Sequence, residues 1–462
     1  MSTTGTETDF PRVETSLPGP RSAALMARND AIMYGPYRDH QTIPLYIDHK
    51  TDWLIADVDG NTFVDHVSGW GSNPLGAHPQ PALGRAIDAM HRYGFEITDY
   101  VRSPPPIELA ERLVDLAPAS ITRAATGITG TEVVEGAVKL AREATGRPMI
   151  LGFLGQYHGE ATYLTAAGST DLSEVTSNSA QYVSGLVFAP YPNQFRAPFH
   201  KGPGPYDDTI YVDYLEEVLL RHQVDPEQIA GVLIEPVLGE GGIVIPSAAF
   251  WNRLTALCDR YGWVLIADEV QTGIGRCGQM FAVERWDLEP ELILLAKGFA
   301  GGVMPIGGTL GSERVMAHAT SHVGATFGWT PAACVAALEN IEAILREDVL
   351  ANVCEMERVA LEVLGPLVDR HEQVGDVRAA GALIGVEFVT DMETIKPAPN
   401  FQLAVHHAAL RRGVLGITQE GKWVYRLQPA LNQPIELFRW SCERVAEAIE
   451  EVSADPPAES DI

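Results

Sequence analysis

Lys297 closes the apolar run LILLA and opens the loop KGFAGG. A lysine at the tip of a buried strand is costly unless it is paired, covalently bound or neutral, and desolvation makes its amine a nucleophile toward an aldehyde. The same placement also suits a lysine that snorkels to the surface. Asp268 closes a second apolar run, WVLIAD, 29 residues earlier. There it can accept a proton or an N–H bond from a heteroaromatic cofactor, cap a loop or bind a metal. Glu269 follows it, and neighbours on a strand face opposite ways, so the two carboxylates are not both expected at one ligand.

Other residue types fit a planar, phosphorylated ligand. GITGTEVVEGAVKLAR (127–142) passes from loop to helix, with Gly130 and Thr131 expected just before the first turn and Glu132 beginning it. Backbone N–H groups at such a point favour a phosphate, although an ordinary Thr-capped helix reads the same way. In GQYHGE (155–160), Tyr157 can lie flat on a ring and His158 can polarise a nearby group; a packed core aromatic fits equally. Thr326, in HVGATFGWTP, can donate to a phosphate. Arg426 sits among apolar residues in WVYRLQPAL, where a guanidinium needs an anion: a substrate carboxylate, or a side chain such as Glu240 in GEGG.

The elements that must position these residues follow from periodicity. DWLIADVDGNTFVDHVSGW reads as a β-hairpin turning at Asp59-Gly60-Asn61. Residues 80–93 and the segment PIELAERLVDLAP read as helices, as does Glu132 to Ala144. Short apolar runs at 149–153, 185–189, 231–235, 263–269 and 292–297, with helical stretches such as 211–222 and 248–261 among them, predict a mostly parallel sheet covered by helices. Ligands of such sheets sit at the C-terminal strand ends, where Glu235, Asp268, Glu269 and Lys297 all fall. Beyond a helical stretch near 331–365, residues 378–389 read as a strand, 400–412 as a helix, WVYRLQPA as a strand and 434–452 as a closing helix. The expected organisation is a flexible arm over 1–25, a segment over 26–75 packing with the small domain, a large α/β domain over 76–340 and a smaller α/β domain over 341–462.

Composition bounds the partners. The 462 residues carry a formal charge of −28, which should repel nucleic acid and anionic membranes. Six lysines stand against 27 arginines, and the acidity is spread along the chain, as in surfaces suited to salt. No apolar run is long enough for a transmembrane helix, the N-terminus does not read as a secretory signal, and five scattered cysteines form neither a zinc pattern nor a disulfide framework. A reducing cytoplasm is the expected setting.

Taken together the motifs resemble the class III aminotransferases of the fold type I pyridoxal phosphate enzymes. The resemblance runs through VDGNTFVD, GWGSNPLGAHP, GITGTE, GQYHGE, IEPVLGEGG, DEVQTGIGR, LLAKGFAGG, HVGATFGWTP and RLQPAL, over about residues 40–440. It implies pyridoxal 5'-phosphate bound covalently to Lys297, which also shuttles the proton, with Asp268 on the ring nitrogen. It further implies Val270 and Tyr157 on the two ring faces with His158 and Glu235 nearby, and Gln271 near the ring hydroxyl. Gly130 and Thr131 would hold the phosphate, helped by Thr326 across the interface of a homodimer with shared sites. Arg426 resembles the grip for a substrate α-carboxylate, Glu240 the partner that neutralises it, and Trp70 a substrate-facing aromatic. Five positions depart from the usual pattern: three in TGTEV against SGSEA, Leu238 for a glutamine and Cys277 for a threonine. The substrates expected are an amine or amino acid and a keto acid. Racemisation or epimerisation, a dialkylglycine-type decarboxylation and a non-enzymatic binding subunit remain as alternatives.

Overall fold

A computed structural model of the chain describes residues 10–33, 43–97, 100–159, 184–196, 207–418 and 422–459. They fall into two compact units, one made of residues 1–78 and 351–462 and the other of residues 79–350.

The first unit begins with helix α1 (Pro20–Ile32) and three strands, β1 (Ile47–Thr51), β2 (Leu54–Asp57) and β3 (Thr62–Asp65). β2 and β3 form the expected hairpin, with Leu54 opposite Val64. Its turn is fixed by Asp57, whose carboxylate accepts the N–H groups of Asp59 and Asn61. The expected flexible arm over 1–25 is corrected where it is described: Glu14 and Thr15 donate their backbone N–H groups to Asn61, and Arg21 and Ser22 donate theirs to Asp59. Side chains on the hairpin satisfy these backbone groups, which composition alone gave no reason to expect; residues 1–9 lie outside the described residues.

The second unit carries helices α2 (Ala82–Tyr93), α3 (Pro104–Leu116), α4 (Gly130–Thr145) and α5 (Ala248–Tyr261). Its strands are β4 (Arg123–Gly127), β5 (Met149–Leu154), β6 (Leu186–Pro190), β7 (Ile229–Ile234), β8 (Val264–Asp268), β9 (Leu292–Leu295) and β10 (Gly307–Gly311), and α6 (Pro331–Arg346) follows them. Among the described residues these strands form one sheet in the order β4-β10-β9-β8-β7-β5-β6. Neighbouring strands are parallel except that β10 runs against both β4 and β9. The sheet is thus mostly parallel, as the apolar runs predicted. α3 starts two residues before the segment read as helical, and Pro104, Pro105 and Pro106 occupy its first turn, where a missing N–H costs nothing.

α4 covers one face of this sheet. Val133, Val134, Ala137, Val138, Leu140 and Ala141 repeat at helical spacing and pack against Ile150, Leu233, Val264, Ile266, Leu292 and Leu294. The helix ends at Gly146, whose φ of +68° gives the left-handed cap that a β-carbon would disfavour.

After α7 (Val349–Leu364) the chain forms β11 (Val374–Ala380) and β12 (Leu383–Phe388). The stretch 378–389, expected as one strand, is therefore a hairpin that turns at Gly381, where φ is +59°. Then come α8 (Pro399–Arg411), β13 (Val414–Leu415), β14 (Val424–Leu427) and α9 (Ile435–Ala454). β13 extends the N-terminal sheet by pairing with β3, and β14 pairs with β12. Among the described residues no helix is long and apolar enough to cross a membrane.

Candidate active site

Strand alternation decides which residues meet. Val264 and Ile266 point at α4, so Asp268, two residues on, belongs to that face, and Glu269 to the other. Glu269 accordingly accepts the Thr272 hydroxyl at 2.6 Å and the backbone N–H groups of Ala282 at 3.0 Å and Val283 at 2.9 Å. It ties down the loop after β8 and is not placed with Asp268.

Burial raises the Glu269 carboxyl to about 7, against the pull of those three donors. A raised carboxyl binds its proton in the folded protein over a range where the unfolded chain has already released it, so its contribution to stability falls as pH rises from about 4.5 to 7. Wild type should therefore lose about 3 kcal/mol relative to Glu269→Gln between pH 4.5 and 8. Urea unfolding of both proteins across that range checks this; a constant difference would contradict it.

Asp268 Oδ2 lies 2.6 Å from His158 Nδ1, with both side chains almost wholly buried, and its Oδ1 accepts the Val270 N–H at 3.0 Å. Behind His158, Gln156 stands with Nε2 3.0 Å from His158 Nε2 and 3.2 Å from the Leu233 carbonyl. Its Oε1 accepts the Glu235 N–H at 2.7 Å. The Glu235 carboxylate accepts the N–H groups of Tyr157 and Gly239, both at 2.8 Å, which fixes the Tyr157 loop to the end of β7. Burial raises Glu235 to about 7, against the pull of those two N–H donors.

α4 begins one or two residues earlier than expected. Thr129 is the cap, in a reciprocal arrangement with Glu132, and Gly130 and Thr131 form the first turn. Their N–H groups head the helix, where no preceding carbonyl accepts them. A β-carbon on Gly130 would stand 3.0 Å from Val270 Cγ1 and 3.8 Å from the Ala296 side chain, so the helix start adjoins the residues next to Asp268 and Lys297. A β-carbon on Gly159 would collide with Thr131, which joins the His158 loop to the same spot.

Lys297 is half-buried and opens a short 3-10 turn (Lys297–Ala300), with φ at +41°. A side chain is rarely held in that left-handed region unless its surroundings impose it, and such residues cluster at functional sites. Here Asn340 imposes it in part, donating to the carbonyls of Gly298 at 3.0 Å and Phe299 at 3.2 Å. Asn340, Gln156 and Gly159 were not singled out by sequence reasoning. Gln156 and Gly159 lay inside a quoted motif, but Asn340 gave no signal within the amphipathic α6.

Gln271 lies beside Gly239 and Glu235, and its Nε2 is buried without a partner among the described residues. Glu240, adjoining Gly239, and Thr326, exposed in its loop, belong to this unit too. The first unit holds Trp70 and Arg426 together, with the guanidinium carbon 5.7 Å from the indole centroid. Trp70 is 40% exposed on a left-handed run in which Ser68, Gly69, Trp70 and Gly71 all have positive φ. Asp65 anchors that run by accepting the N–H groups of Val67 and Ser68, while Lys50 pairs with its other oxygen at 2.8 Å.

These groups suit a flat, phosphorylated heterocycle: a helix start for the phosphate, an anionic carboxylate for a ring N–H, an orphaned buried amide donor for a ring oxygen, and an amine at a strand tip. The chain belongs to the class III aminotransferases, whose family model matches residues 36–449. It is a pyridoxal phosphate-dependent enzyme that transfers amino groups. It is similar to the 4-aminobutyrate aminotransferase of Escherichia coli, 32% identical over 85% of this chain and 89% of that protein. Similarity also extends to the alanine/serine racemase of Pyrococcus horikoshii, 32% identical over 97% of this chain and 93% of that protein. Among solved structures, the PLP-bound amine transaminase from an uncultivated Pseudomonas species superposes with a TM-score of 0.82 at 30% identity, covering 91% of this chain and 96% of that one.

Proposed function

We propose that this enzyme takes its amino group from an omega-amino acid, an amine or an amino acid and delivers it to a keto acid, 2-oxoglutarate or pyruvate, in a ping-pong cycle. The observation that carries the reading is the buried Asp268–His158 pair, together with an α4 start that adjoins Val270 and Ala296, the residue before Lys297. The names of relatives acting on 4-aminobutyrate and 5-aminovalerate support the donor class.

Pyridoxal phosphate, when bound, supplies an electron sink and a carbonyl that takes up and releases nitrogen. Lys297 holds it at rest, then carries a proton from and to the substrate carbon. Asp268, steadied by His158, accepts the ring N–H and keeps the ring cationic. Val270 and Tyr157 would hold the ring between them and Gln271 would donate to it, while Glu235 fixes the Tyr157 loop. Gly130 and Thr131 hold the phosphate with their N–H groups, completed by Thr326 from the partner subunit of a homodimer. The setting is cytoplasmic. A donor panel read against pyruvate and 2-oxoglutarate tests this; cofactor-loaded protein that transfers nitrogen from no donor would overturn it.

Arg426, beside Trp70, takes the substrate carboxylate. A bidentate guanidinium–carboxylate contact is worth about 3 kcal/mol, so Arg426→Ala should slow the keto-acid half-reaction about a hundredfold. The amine half-reaction should fall less than tenfold. Single-turnover kinetics of each half separate these, and equal losses would refute this role of Arg426.

The similarity to an alanine/serine racemase over nearly the whole chain favours one second reading, racemisation of a small amino acid. One enantiomer incubated without a keto acid distinguishes the two: loss of optical purity in the absence of an acceptor selects the racemase.

A further inference from the structure

Two backbone groups leave one orientation for the Gln156 amide. Glu235 presents a backbone N–H to it, a donor only, and Leu233 presents a carbonyl, an acceptor only. The amide oxygen must face Glu235, and the NH2 group must face Leu233. Turning the amide over would oppose two donors at 2.7 Å and two acceptors at 3.2 Å. The second hydrogen of that NH2 group then points at His158 Nε2, 3.0 Å away. Gln156 is wholly buried and His158 nearly so, which makes an unmet donor or acceptor costly.

We infer that Gln156 is a positioning residue: by donating to His158 Nε2 it confines the His158 proton to Nδ1, where it is delivered to Asp268 Oδ2. The Asp268 carboxylate calls for a proton on Nδ1 in imidazole and imidazolium alike; the Gln156 donor is what keeps a second proton off Nε2. With it, His158 remains a neutral single donor, and Asp268 keeps its full negative charge for the group in front of it. The backbone supports the same arrangement. Leu233 lies in β7 and Glu235 directly follows it, next to β8 in the sheet, so the strand that ends in Asp268 is registered against the strand whose end orients Gln156.

This inference rests on Asp268 facing the cofactor ring, and its test separates the two. Selective 15N labelling of histidine in the cofactor-free protein reads the tautomer directly, with His158 assigned by the signals lost in His158→Phe. In wild type the proton should lie on Nδ1 alone. In Gln156→Leu the two nitrogen shifts should converge toward averaging, and Gln156→Glu, which offers an acceptor, should move a proton onto Nε2. In the loaded enzyme Gln156→Leu should lower kcat by about tenfold to a hundredfold, the scale seen when the support of a ligand-bearing histidine is removed, with KM for the amine changed much less. A wild-type proton on Nε2, or nitrogen shifts unmoved by Gln156→Leu, would overturn the role of Gln156. If Asp268→Asn turned over as wild type does, the placement of the ring would fail instead, whatever the tautomer of His158.

Discussion

Lys297→Ala is expected to reduce turnover by at least about a thousandfold, because it deletes the covalent anchor and the proton carrier in one step. Loss of a positioned acid–base group alone costs about a hundredfold to ten-thousandfold. The effect should be chemical rather than structural. Lys297 sits where its backbone is strained, and alanine carries a smaller side chain through the same left-handed φ of +41°. The turn itself is fixed from behind by Asn340. The variant should therefore fold, and should still bind pyridoxal phosphate through the α4 start, but borohydride should no longer fix the cofactor to the chain. Mass spectrometry of wild type and variant after reduction reads this. An alanine variant with more than a tenth of wild-type kcat would remove Lys297 from the chemistry.

Asp268→Asn should lower kcat by about a hundredfold to a thousandfold, the cost of removing one preorganised electrostatic partner from a water-poor site. Asparagine keeps the shape, but its single carbonyl oxygen can replace only one of the two acceptors that His158 Nδ1 and the Val270 N–H use; the loop after β8, which Glu269 also ties down, should survive. What is lost is the charge that holds a proton on the ring nitrogen. Steady-state kinetics with a pH profile of the visible chromophore measure both consequences. A near-wild-type rate would mean that Asp268 serves only to orient His158.

The chemistry was legible where a polar residue ended an apolar run. Asp268, Glu235 and Lys297 announced themselves because hydrophobic strands must surface before they can carry charge, and strand alternation separated Asp268 from Glu269. β4 and β10 were not legible: RAATG and GGTLG are too short and too rich in small residues to show a period. Residues 378–389 read as continuous because a two-residue turn at Gly381-Ala382 interrupts the apolar run with nothing polar. Gln156 was hidden for a different reason. Its role depends on which way three neighbours from β7 and the His158 loop point, and pairing between strands far apart in sequence leaves no local pattern. Asn340 is a similar case, a buried amide whose partners are carbonyls 41 and 42 residues away.

The left-handed run that carries Trp70 has a bearing on how readily this protein can change its diet of amines. At φ +59° an indole side chain is held against the intrinsic preference of any residue with a β-carbon, at a cost of about 1 kcal/mol, and glycine would escape that cost. Truncation there would forfeit the contact with Arg426, worth about 0.5–1 kcal/mol, yet ease the main chain by a similar amount. Position 70 is thus close to thermodynamically neutral ground, where bulkier molecules could be admitted with little harm to the scaffold.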